Sequence, residues 1–286
     1  MENTAEAATG AAHDSPKRSE FLSLFPTSHF FWLDAVRHDR AEVIPQRLAV
    51  VTGGNKGIGL EVCRQLALQG VTVNNAAISG IVADEEGLKA LNIDAETWTS
   101  GRAANLLKEV FQNTYDEAFN CLNTNYYGCK RVTEALLPLL KQSTSGARIV
   151  NCSSLASELK RMPNEKLRND LCNINIWDED RIEAVLKTFL EDLKNGRLEE
   201  AGWPMMLPTY SVSKMVINLY TRIMARRYPE MRINCVRPGF VKTDLCWNLG
   251  VLTPEQGARG PVMLALLPDD GPTGCYFDQT EMVKVW

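Results

Sequence analysis

The amino-acid sequence predicts an α/β fold with a mainly parallel, doubly wound sheet, and three observations predict it. Leu48, Ala49, Val50 and Val51 form a short apolar run ending in Thr52 and glycines, the pattern of a strand buried on both faces. A helical stretch, residues 58–68, follows at once. Two further strand candidates, residues 148–152 and 232–236, alternate with helical stretches near residues 102–142, 178–194 and 209–227.

Taken in order, residues 1–46 are poorly patterned and are expected to form a flexible extension with room for one short helix. Their apolar stretch, residues 21–36, is interrupted by Pro26, His29 and Asp34 and is too short to span a bilayer. Glu2 and Glu6 stand where a secretory signal would be basic. Seven acidic residues against four basic ones argue against an organellar transit peptide. A cytoplasmic location with no membrane partner is the expectation. Gly70 suits the left-handed position after the first helix. In the stretch 178–194, Ile182, Val185, Leu186, Phe189, Leu190 and Leu193 share one helical face. Asp178 or Asp180 can cap its start and Gly196 can close its end.

Composition excludes several functions. A net charge of −4 lacks the basic surplus of a nucleic-acid binder. The eight cysteines contain no CxxC pair and read as reduced, mostly buried thiols. His13, His29 and His38 all precede the first strand, so the body of the chain offers neither a Ser-His-Asp triad nor a histidine metal site. No metal is expected; Ser, Tyr, Lys, Asn or carboxylates must carry any chemistry.

Thr52, Gly53, Gly54, Asn55, Lys56, Gly57, Ile58 and Gly59 lie between the first strand and its helix. Glycines there allow a tight turn and bring amides and the positive helix end against a pyrophosphate. Five more segments follow in order: Asn74-Asn75-Ala76-Ala77, Thr124-Asn125-Tyr126-Tyr127-Gly128, Asn151-Cys152-Ser153-Ser154, Tyr210-Ser211-Val212-Ser213-Lys214, and Arg237-Pro238-Gly239-Phe240-Val241-Lys242-Thr243-Asp244. Together the six resemble the short-chain dehydrogenase/reductase family across about residues 47–280. The 56-residue gap from Ser154 to Tyr210, and Gly202-Trp203-Pro204 before Tyr210, resemble its plant menthone/neomenthol and salutaridine reductase group. Gly53-Gly54-Asn55-Lys56-Gly57 also resembles animal carbonyl reductases.

Tyr-x-x-x-Lys occurs twice, because Tyr126 and Lys130 share the spacing of Tyr210 and Lys214. The second pair is preferred for its place between the Ser154 strand and the Pro238-Gly239 strand. Val212, Met215, Val216, Leu219 and Ile223 bury the other side of its helix, which leaves Tyr210 and Lys214 free to face a cleft. A phenol has a pKa of about 10 and works at neutral pH only if its anion is stabilised, here by a neighbouring ammonium and oxidised nicotinamide.

The resemblance implies a Rossmann-like sheet, an NADP(H) cofactor and reduction of a hydrophobic ketone or aldehyde. It implies Asn125, Ser154, Tyr210 and Lys214 as the catalytic set. It assigns Gly53, Asn55, Lys56, Gly57, Ile58, Gly59, Asn75, Tyr210, Lys214, Pro238, Gly239, Val241 and Thr243 to the cofactor. Lys56 favours the 2′-phosphate, although a solvated loop lysine reads the same way. Residues 47–286 would form one domain with a helical insertion near 155–209. That insertion covers the face other members use to pair, so a monomer is expected. Substrate loops fall near residues 78–120, 155–209 and 244–262.

The sequence departs from the family after Val73. Val71-Thr72-Val73 opens the family's second strand, and Asn74-Asn75 closes its fourth. About 50–60 residues, two to three strands and two helices, are missing between them. The lost piece would read the 2′-phosphate and the adenine. A right-handed crossover should carry Val71–Val73 to the strand-two side, away from where Asn74–Ala77 must lie. A rival reading follows: a truncated chain that keeps the signature but cannot hold cofactor. Ser157 and Ala77 stand where the family has glycine.

Overall fold

A computed structural model describes residues 30–32, 49–66, 71–143 and 146–284. Its main sheet orders as β1 (Phe30–Trp32), β2 (Ala49–Thr52), β3 (Val71–Asn74), β4 (Arg148–Cys152), β5 (Arg232–Arg237), β6 (Tyr276–Asp278) and β7 (Glu281–Val283). Strands β2 to β6 run parallel, while β1 and β7 are antiparallel edges. The three predicted strands appear within one residue of their expected bounds.

Apolar residues of alternating parity send two helical layers to opposite faces. Val51, Val73, Val150 and Val236 pack against α1 (Gly57–Leu66) and α6 (Pro254–Ala265) through Val62, Ala258 and Leu264. Ile149 and Ile233 pack on the other face against α4 (Glu179–Lys194) and α5 (Pro208–Arg227). There α3 (Gly128–Leu140) covers β2 through Val50, Val132 and Leu136. Asp178 caps α4 by accepting the Arg181 amide at 2.8 Å, and Gly196 takes φ +67° just past its end, as predicted.

The stretch 102–142 is broken rather than continuous. A short ribbon pairs Val82–Ala83 with Phe111–Gln112, and Thr114 then accepts the Glu117 amide to start α2 (Tyr115–Leu122). A π-helical turn, Asn123–Tyr127, separates α2 from α3. Nor is α5 one-sided: Ser211, Ser213 and Lys214 are buried along with its apolar face.

The decisive feature is the place of β3. It lies between β2 and β4, with Val51 beside Val73 and Asn74 beside Asn151. The expectation that Val71–Val73 would sit on the other side of β2 is overturned. Four residues, 67–70, separate α1 from β3 in the sequence. The unit β2–α1–β3 steps along the sheet in the same direction as β4–α5–β5, with its helix on the opposite face. The two units are therefore of opposite hand, and the shortened chain accepts a rare left-handed crossover. Two gains offset it: Val71 and Val73 are buried in the central sheet, and the Asn74–Ala77 turn reaches the carboxyl edge. The vacated side of β2 is taken by β1, with Phe31 registered on Val51. Of the predicted flexible extension, 30–32 is thus a strand. The rest of residues 1–46, and Gly70, lie outside the described residues.

Candidate active site

The cleft forms at the carboxyl ends of the parallel strands, where the loops that leave β2, β3, β4 and β5 gather. The glycine-rich turn between β2 and α1 makes one wall. Gly57 takes φ +56°, a region disfavoured for other residues. A side-chain carbon on Gly59 would stand 2.3 Å from the Gly53 carbonyl oxygen and 2.5 Å from Asn75 Nδ2, so only glycine lets turn and strand approach. The first amides of α1 have no intrahelical acceptor, and Ile58 of that first turn lines the cleft.

Thr52 joins this turn to the next. Its hydroxyl accepts the amides of Asn75 at 2.9 Å and Ala76 at 3.0 Å, while Asn75 Nδ2 donates to the Thr52 carbonyl at 3.1 Å. Asn74 Nδ2 donates to Asn151 Oδ1 at 2.8 Å and fixes the same turn to β4.

Ser154 follows the end of β4, whose ladder continues through the Ser153 amide to the Val236 carbonyl at 2.8 Å. Its Oγ accepts the Ala156 amide at 3.2 Å, which leaves the hydroxyl proton to donate. Below it, Ser157 Oγ donates to the Ser154 carbonyl at 2.5 Å and accepts from Asn218 Nδ2 at 2.9 Å, and Tyr276 donates to the same carbonyl at 3.2 Å. Lys214, 2% exposed, donates from Nζ to the Cys152 carbonyl at 2.7 Å and stands 5.6 Å from the centre of the Tyr210 ring.

The electrostatics differ from the expectation of a phenol acidified by the ammonium. Burial pushes the Tyr210 phenol above its ordinary value, and its hydrogen bond with Ser154 only partly counters this. Burial lowers Lys214 in the same way. Desolvation wins because both groups are held in the protein interior, and the Lys214 charge is already directed at a carbonyl. In this state Tyr210 is a firmly protonated donor.

Ser154, Tyr210, Lys214, Ile58, Asn75, Pro238, Gly239, Val241 and Thr243 line one cleft of about 1190 Å³. Asn125 stands behind it, 1% exposed, accepting the Ile78 amide at 2.9 Å and donating to the Ile78 carbonyl and Ser213 Oγ, each at 3.0 Å. Asn55 and Lys56 are exposed, and Lys56 is paired with Asp244. The other Tyr-x-x-x-Lys pair is divided: Tyr126 is fully buried with no partner for its hydroxyl, and Lys130 pairs with Glu179.

The sequence reading missed the aromatic wall. Trp98 stacks on Phe240 at 5.8 Å and 14°, and Trp247 packs 4.9 Å from Phe111. Trp98 and Phe111 in one expected substrate loop and Trp247 in another were the available signal. Leu155, Met205 and Met206 extend that wall from the insertion. The donor set suits the pyrophosphate and nicotinamide ends of a dinucleotide: helix-end amides for an anion, and Lys214 and Tyr210 lining the same cleft. Among the described residues no cluster of His, Cys, Asp and Glu is placed to hold a metal, and no helix is long and apolar enough to cross a membrane.

No family model matches the chain. Relatives do. The chain is 38% identical to "Short-chain dehydrogenase/reductase 1" of Saponaria officinalis, over 83% of this chain and 95% of that protein. It is 36% identical to (+)-neomenthol dehydrogenase of Arabidopsis thaliana, over 85% and 99%. The solved structure of salutaridine reductase from Papaver somniferum superposes with a TM-score of 0.71 at 33% identity, covering 79% of this chain and 97% of that one. The chain belongs to the short-chain dehydrogenase/reductase family. The same comparison supports the internal loss. The Saponaria alignment spans 296 positions but takes up 83% of 286 residues, about 237, so about 59 positions have no counterpart here. Further family relatives are named isopiperitenone reductase and NADPH carbonyl reductase.

Proposed function

We propose that this chain is an NADPH-dependent reductase that converts a hydrophobic ketone or aldehyde to its alcohol, acting as a monomer in the cytoplasm. One observation carries the reading: despite the lost segment, Ser154, Tyr210 and Lys214 open into the same cleft as Ile58, at the end of the glycine-rich turn, and Asn75. The names of relatives, neomenthol dehydrogenase and NADPH carbonyl reductase among them, agree with it.

When bound, the reduced nicotinamide supplies the hydride. The protein's part is to hold the carbonyl oxygen and deliver a proton. Ser154 Oγ donates a hydrogen bond to that oxygen and strengthens as negative charge develops. Tyr210 transfers its phenolic proton to the same atom as general acid. Lys214 offers its two remaining N–H donors to the ribose and steadies the phenolate left behind. Asn125 acts by holding Ile78 and Ser213, and so the floor beneath Tyr210. Gly53, Gly57, Ile58 and Gly59 present amides to the pyrophosphate, and Pro238, Gly239, Val241 and Thr243 close over the nicotinamide. The apolar aromatic wall excludes water and receives the substrate body.

The rival, a chain that keeps the signature without holding cofactor, is favoured by the shortened adenosine side, where β1 replaces the family's second strand. Titrating NADPH against tryptophan fluorescence separates the two. A saturable signal with NADPH oxidation on adding an aryl ketone supports the reductase. No saturable signal at millimolar NADPH ends it.

A further inference from the structure

We propose that Arg161 reads an anionic oxygen on the substrate body, so that the preferred substrate is an aromatic ketone that also carries a carboxylate. This deepens the reductase reading and rests on it.

Arg161 closes the 3-10 turn Leu159–Arg161 in the insertion and lines the same cleft as Ser154 and Tyr210. A guanidinium carries five N–H donors and does not shed its charge. Here Nη2 donates to the Thr99 carbonyl, but Nε is buried with no hydrogen-bond partner. Nη1 lies close against Gly101, where a side-chain carbon would stand 2.8 Å from it, so the glycine is what admits the guanidinium here. Bracing Thr99 uses one of the three guanidinium nitrogens, so this residue, which lines the cleft, keeps donors to spare.

The surroundings favour an anion. Glu158 is the acidic neighbour, yet its carboxylate is shared with Lys160 at 2.6 Å and Arg237 at 3.7 Å, and Arg237 is also paired with Asp278. Glu96 also lines the cleft but is paired with Arg102 at 2.7 Å, so four cations face three carboxylates along this wall, a surplus of one positive charge. Elsewhere Trp98, Phe240 and Trp247 make the cleft apolar, which strengthens any charge pairing within it. An aromatic body bearing one anionic oxygen satisfies both features.

The test compares benzylacetone with its para-carboxylate on the full chain. KM with NADPH is measured, together with ketone quenching of tryptophan fluorescence, which needs no turnover. The unmodified chain is expected to prefer the carboxylate at least about tenfold in both. Arg161→Met should abolish that preference and leave the benzylacetone values within about twofold. Arg161→Lys, which retains the charge and is the fallback if the methionine variant does not fold, should cut the preference at least about threefold. No preference in the unmodified chain overturns the proposal. Equal weakening of both ketones in Arg161→Met, or an unchanged preference in Arg161→Lys, overturns it too and leaves Arg161 a brace for Thr99. A quenching preference without turnover would sink the reductase reading and leave Arg161 standing.

Discussion

The Thr52 hydroxyl accepts the backbone amide of Asn75 at 2.9 Å, and this bond ties the end of the first parallel strand to the turn that follows the relocated third. It accepts the Ala76 amide as well, at 3.0 Å. Thr52→Val keeps the shape and removes the acceptor, leaving two part-buried N–H groups unpaired at about 1–3 kcal/mol each. The variant should unfold at lower urea and bind NADPH more weakly, whereas Thr52→Ser should restore both. Urea denaturation and fluorescence titration read the two effects separately.

Ser157→Gly returns the chain to the family pattern and should nonetheless harm it. Ser157 is fully buried, supports the Ser154 carbonyl and satisfies Asn218, whose other end accepts from Ser153 Oγ at 2.6 Å. Glycine would strand the Asn218 amide and free the backbone under Ser154. A loss of about 1–3 kcal/mol by urea denaturation is expected. If stability is unchanged, the network is not what holds Ser154.

Much of this site was legible because its signals are local. A glycine-rich turn after an apolar strand, and Tyr210 one helical turn from Lys214, need no knowledge of distant contacts. Strand bounds were legible for the same reason, since apolar runs ended by glycine or polar residues declare themselves. The place of β3 was not. Handedness is a preference of isolated crossovers, and here it lost to the burial of Val71 and Val73 and to the Thr52–Asn75 link, neither visible in a short window. The burial of Tyr210 was not legible either: spacing shows a nearby ammonium, but not the desolvation that raises the phenol here, nor that the ammonium donates to the Cys152 carbonyl.

That burial sets the pH dependence. Desolvation favours the neutral phenol, so the folded pKa of Tyr210 lies above its unfolded value of about 10. The proton-donating form therefore persists throughout the range below that value and is lost only as pH rises through the raised one. Tyr210 should set no limb in the rate of ketone reduction from about pH 6 to about pH 9, and any fall there belongs to Lys214, whose pKa the same burial lowers. A fall between about pH 7 and 8 that persists in Lys214→Arg, whose guanidinium keeps its charge, with cofactor saturating, would show that a different group donates the proton.

The thiols supply a check on packing that needs no ligand. All eight cysteines are free; Cys172 is exposed, Cys246 and Cys275 are half-buried, and the rest are buried. Burial pushes Cys121 and Cys129 up to about 12 and Cys152 up to about 11, so thiolate is scarce at neutral pH. Iodoacetamide at pH 8 should modify Cys172 first, Cys246 and Cys275 slowly, and the others only on unfolding. Peptide mass mapping gives the order, and early labelling of Cys152 would contradict the packing around Lys214.

Lys56 and Asp244 bring the cofactor question to one pair of side chains. Lys56 is the residue expected to meet a 2′-phosphate, yet its ammonium is paired with Asp244 at the cleft mouth, and that contact holds the carboxyl below its usual range. Both side chains are about two-thirds exposed, so the pair is readily exchanged and easily screened by salt. Asp244→Asn removes the competitor without touching Lys56. NADPH should then bind a few-fold more tightly, NADH unchanged, with the gain fading as salt rises toward about 1 M. Lys56→Ala should weaken NADPH alone. Equal changes for both dinucleotides would mean that Lys56 is a solvated loop residue, and that the shortened chain has no charged reader for the phosphate at this position.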